Sequence, residues 1–80
     1  MTNYVFSERA FYADAHVQKF GTVSITSITE VEDMTEDDLL YVVGDVKSEK
    51  GKEVMDFVEI MGIPVEEMIP EMLWFDGELL

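Results

Sequence analysis

Eighty residues make one small domain, and 18 acids against five Lys and Arg give it a net charge of -13. A single His and no Cys exclude zinc knuckles and disulfide frameworks, and so few cations argue against nucleic acid as a direct ligand. A hydrophobic fraction of 48% excludes a disordered acidic tail.

Tyr4, Val5 and Phe6 read as a short strand. Residues 8–20 support two readings. Ser7 can cap a helix that places Ala10, Ala13, Val17 and Phe20 on one face and stops at Gly21. The alternation Phe11, Ala13, Ala15, Val17 fits a strand. The alanines and Gly21 favour the helix. Thr22–Thr29 is β-branched at six of eight positions and is the strongest strand pattern in the chain.

Thr35 then reads as the N-cap of a helix, with Glu36, Asp37 and Asp38 in its first turn and Met34 and Leu39 as a hydrophobic staple. Leu39, Val42, Val43 and Val46 share its inner face, and Gly44 limits it. A hairpin over residues 39–60, turning at Lys50-Gly51, is the rival reading. A second helix over about residues 49–61 has a marked stop in Gly62, Ile63 and Pro64. Its inner face is Val54, Phe57, Val58 and Met61. Pro64 opens a short third helix through Val65, Met68 and Ile69, interrupted at Pro70. Met72, Leu73, Trp74 and Phe75 follow. These elements predict an α+β domain: a short N-terminal sheet of two or three strands, packed by two or three helices from the acidic part.

The charge is unevenly spread. Residues 1–29 are neutral, whereas residues 30–80 hold sixteen acids against Lys47, Lys50 and Lys52. Beyond Lys52 there are eight acids and no base. One neutral flank and one electronegative surface follow. The chain starts at Met1 with no basic segment followed by an apolar one, so no signal peptide is expected. No run approaches the ~20 apolar residues of a membrane span. A cytoplasmic protein is the expectation. A chain this short buries only roughly 60 to 65% of its unfolded surface, so a homodimer or a partner would add stability.

No motif names a reaction. His16, the one imidazole, has Ser7, Ser24 and Ser27 as candidate partners, but no nucleophile elbow surrounds them; a half-exposed surface histidine is the simpler reading. Residues 30–38 hold six acids without the spacing of a calcium loop. No catalytic residue, metal or cofactor is assigned.

The acids do form an array. On a helix, Glu49, Glu53, Asp56 and Glu59 stand roughly 5 to 6 Å apart in a row ~15 Å long. Phosphates along a nucleic-acid strand have a comparable spacing, of order 6 to 7 Å. A solvated helix ordinarily alternates Lys with Glu, because like charges repel. The base-free stretch after Lys52 therefore suggests a cationic partner. Expected contacts are Glu49, Glu53, Asp56 and Glu59, then Glu66, Glu67 and Glu71, with Trp74 as an aromatic anchor. In size, charge and single-domain economy the chain resembles the acidic inhibitors of phages and mobile elements: anti-CRISPR proteins, antirestriction proteins and inhibitors of uracil-DNA glycosylase. The resemblance includes no residue motif. It implies a non-enzymatic inhibitor, acting inside a bacterial host, that blocks the groove of a basic nucleic-acid-binding protein or ribonucleoprotein complex. The alternative is an antitoxin, adaptor or accessory subunit that docks through an apolar face.

Overall fold

The computed structural model describes residues 2–73, with side chains through Glu71. Asn3–Phe6 forms β1, and Ala10–Phe20 forms α1, so the helical reading of this segment holds. Gly21 ends α1 at φ 71°, a left-handed conformation that glycine adopts without a Cβ penalty, and its N–H donates to the Val17 carbonyl. Arg9, rather than Ser7, is the N-cap; the Ser7 hydroxyl instead accepts from the Arg9 N–H at 3.2 Å. The inner face is also turned from the expected one. Ala13 and His16 are buried, while Ala10 and Phe20 are exposed. Thr22 supplies the hydrogen bond that lets the imidazole go inside.

The strongest strand pattern yields the shortest strand. Only Val23–Ser24 pairs with β1, forming β2. Residues beyond it turn away because Glu30 reaches back: its carboxylate accepts from the Thr26 N–H at 3.0 Å and the Thr26 hydroxyl at 2.9 Å. That arrangement begins α2, Ile28–Val31.

The helix expected from Thr35 is replaced by a turn and a strand, β3, Leu39–Val43. The residues read as a cap still engage one another. Asp38 Oδ2 accepts from the Thr35 N–H at 2.9 Å, and Oδ1 accepts from the Thr2 N–H at 2.9 Å. Asp38 thus ties the entry of β3 to the start of β1. The apolar run that follows is buried from both sides, which favours a strand over a one-faced helix. The rival hairpin is absent too, because β3 leads into α3, Glu49–Met61. Both bounds of α3 match the expected helix. Gly62 closes it at φ 73°, and the Ile63 N–H returns to the Val58 carbonyl at 3.1 Å. The short helix expected after Pro64 is instead β4, Val65–Met68, followed by a 3-10 turn over Pro70–Leu73. Pro64 fits there because its carbonyl accepts the Leu40 N–H at 3.0 Å while its missing donor is not needed.

The domain is α+β as expected, and its described residues form one four-stranded sheet and three α-helices. Its strands run the length of the chain instead of clustering at the start, and all pair in parallel in the order β2-β1-β3-β4. A parallel sheet needs both faces covered. Phe6, Ile25, Leu40 and Val42 meet Val31 of α2 and Val54 and Val58 of α3 on one face. Val5 and Val43 meet Ala13 of α1 on the other. The crossover to β2 runs one way along the sheet and the later crossovers run back, so crossovers of one hand place α1 opposite α2 and α3. Among the described residues no helix is long and apolar enough to cross a membrane.

Candidate functional site

Two regions of the surface follow from this fold. The first is the outer side of α3. Val54 and Val58 face the core, so the helical period turns Glu49, Glu53, Asp56 and Glu59 outward, and all four are exposed. Lys50 and Lys52 are exposed on the same helix, so its first turns are mixed in sign and the base-free stretch begins at Glu53. Ile60, 83% exposed, extends the outward face one turn beyond Asp56.

The remaining acids lie on other elements. Glu66 and Glu67 are successive residues of the edge strand β4, in register with Tyr41 and Val42. Glu67 therefore emerges on the face that carries α3, and Glu66 on the face that carries α1. Glu71 sits exposed in the 3-10 turn. The eight expected contacts thus do not make a single row: four share α3, Glu67 adjoins that side, and Glu66 and Glu71 lie apart. Trp74 falls outside the described residues.

The second region is a cleft of about 950 Å³ beyond the carboxyl ends of β1, β3 and β4. Ser7, Glu8 and Arg9 approach from β1, Asp45 and Lys47 from β3, and Glu67 and Glu71 from β4. Lys47 Nζ lies 3.8 Å from Asp45 Oδ2, and both side chains are well solvated. Glu8 reaches across. Its Oε2 accepts from the Lys47 N–H at 2.9 Å, the Ser48 N–H at 2.7 Å and the Ser48 hydroxyl at 2.7 Å. Ser48 Oγ in turn accepts from the Gly51 N–H at 3.0 Å and caps α3. The Ser48 hydroxyl, then the two backbone donors, hold the Glu8 carboxyl below the usual carboxylate range.

Glu8 stands in no motif of the sequence, where with Asp14, Arg9 and Lys19 it makes up the neutral balance of residues 1–29. A signal was present in Ser48-Glu49-Lys50-Gly51: the third helical position, where a capping box places Glu, holds Gly instead. The carboxylate that serves this helix comes from 40 residues away.

His16 is a correction. It is fully buried, and its partner is Thr22 Oγ1 at 2.9 Å from Nδ1, so it pairs with none of the three serines considered. Phe20 and Tyr41 flank the ring at 4.5 and 4.8 Å, and Nε2 has no hydrogen-bond partner among the described residues. Burial pushes its pKa down. Asp38 shifts down as well, through the Thr35 and then the Thr2 backbone donors. Among the described residues no group of three His, Asp or Glu is arranged to hold a metal ion. Comparison with family models, with curated proteins and with solved structures finds no match for the chain.

Proposed function

We propose that the chain is a small acidic binding protein that engages a basic nucleic-acid-handling protein or complex and occupies its nucleic-acid groove. The observation that carries this reading is the outer face of α3, where Glu49, Glu53, Asp56 and Glu59 are exposed on a rigid helix anchored by Val54 and Val58. The helical period spaces these carboxylates roughly 5 to 6 Å apart, close to a phosphate track. Each can form charge-assisted hydrogen bonds to a partner's Arg or Lys. Opposite net charge speeds encounter, and phosphate-binding cations on the partner give up their counter-anions on binding. Glu67 extends the same side, and Glu71 lies at the cleft.

A second reading rests on a different observation. Phe20 and Val23, on the neutral side of the chain, expose 49 and 48% of their surface. An interaction module would dock there and keep its acids for solubility.

Affinity capture from a bacterial lysate at low and high salt, with nuclease added, separates the two. Groove binding predicts a basic nucleic-acid protein retained at low salt and lost at high salt. It also predicts loss in steps across Glu53→Lys, Asp56→Lys and Glu59→Lys, of roughly 0.5 to 2 kcal/mol each, in the range of exposed to partly desolvated charge pairs. Partners that survive high salt, tolerate these reversals and are lost with Phe20→Ala or Val23→Ser would overturn it in favour of apolar docking.

A further inference from the structure

β1 leads into α1 on one face of the sheet, and β3 leads into α3 on the other. Strand order reverses between these neighbours, so the loops leaving them part and open a crevice. Open α/β sheets receive ligands at such points, beyond the carboxyl ends of the strands. In this protein the two loops are joined by the side chain of Glu8, whose one oxygen takes three donors from Lys47 and Ser48.

Gly51 belongs to the same arrangement. Its backbone is not in a left-handed conformation, yet a Cβ there would run into Glu8 Oε2 and crowd Val46 Cγ1 and Ser48 Oγ. Glycine is a poor helix former, and in the first turn of α3 it leaves the space that the carboxylate occupies.

We propose that Glu8 is a latch: its carboxylate holds the β1–α1 loop against the amino end of α3 and fixes how far the crevice opens, and neutralising or displacing it lets the loops part further. The charges around it divide. Lys47, and Arg9 on its own loop, favour the charged latch. Asp45, Glu67 and Glu71, which line the same cleft, oppose it. Three short hydrogen bonds to the carboxylate set the balance toward closure. The downward shift of the Glu8 pKa agrees with a latch closed at neutral pH.

The test is an NMR pH titration of the full chain. The Lys47 and Ser48 amide resonances should move together with the Glu8 carboxyl carbon, with one midpoint below the usual value of 4.5. Glu8→Ala should speed hydrogen exchange at these two amides by ~10-fold or more, while Val5 and Val42 amides in the sheet stay protected. Gly51→Ala keeps the charge but fills its seat, and should produce the same two-amide loss at neutral pH. If the sheet amides show that Glu8→Ala has unfolded, Gly51→Ala and the titration of the intact chain decide. Lys47 and Ser48 amides that stay protected in a folded variant, or that titrate apart from Glu8, would show that the carboxylate does not hold the two loops together.

Discussion

His16 has no solvent exposure, donates or accepts at Nδ1 with Thr22 and has no partner for Nε2 among the described residues. A charge on that ring would sit buried between Phe20 and Tyr41, away from water, so the folded chain resists protonation. Its folded pKa lies below the usual 6.5, whereas the unfolded chain titrates near it. The contribution is therefore complete above pH ~6.5 and is lost as pH falls below it, because the unfolded state takes the proton first. One such group gives a slope of at most about 1.4 kcal/mol per pH unit. Urea unfolding at several values between about pH 7.5 and 5.5 should show declining stability, and His16→Phe should flatten that interval. An unchanged slope in the variant would assign the loss to other groups. Glu8 and Asp38 act lower, since their depressed pKa values keep their contributions until pH falls through the ordinary carboxylate range.

At the scale of elements, the two ends of α3 depend on glycine for different reasons. Gly51 provides room for the Glu8 carboxylate at the amino end. Gly62, at the carboxyl end, sits at φ 73° with no atom of the described residues within 4 Å of the place a Cβ would take, so among them a side chain there meets backbone strain alone. Gly62→Ala should cost about 1 kcal/mol, read as a lower urea midpoint with unchanged m. A neutral or stabilising result would mean that the end of α3 can unwind without disturbing Ile63 and the entry to β4. The strands reflect a contest between local pattern and position in the sheet. Leu39–Val43 carries a cap-like prelude, yet it forms the strand between β1 and β4 because its residues are wanted by apolar clusters on both faces. Thr22–Thr29 has the better local pattern but lies at the edge, where only two residues find pairing partners.

For the molecule as a whole, a net charge of -13 on a domain this small means that most carboxylates lie within a few Debye lengths of one another. The Lys47–Asp45 ion pair is exposed and stabilises little. Self-repulsion should therefore weaken the fold at low ionic strength. Raising NaCl from about 10 to about 300 mM at neutral pH should raise Tm, since the Debye length shrinks from ~30 Å to under ~8 Å. A Tm that stays level would show that the acids are already spread widely enough not to oppose folding. A bound cationic partner should replace the salt effect and add its own linkage term.

The amino-acid sequence by itself determined what is local or summed: the extent of α3 and its Gly62 stop, the helix ending at Gly21, the strand at Tyr4–Phe6, the α+β class, and the charge asymmetry that motivates a cationic partner. Caps, glycine stops and composition are legible because each depends on neighbours a few residues away. Only the tertiary structure decided that Leu39–Val43 and Val65–Met68 are strands, that the sheet is parallel, and that Glu66 and Glu67 diverge to opposite faces. It also decided the partners of Glu8, Asp38 and His16; the first two reach donors 36 to 40 residues distant. A carboxylate or an imidazole looks the same in a sequence whether it faces water or a hydrogen-bond donor. What separates the cases is the closure of long loops around a shared core, and that is a property of the packed chain.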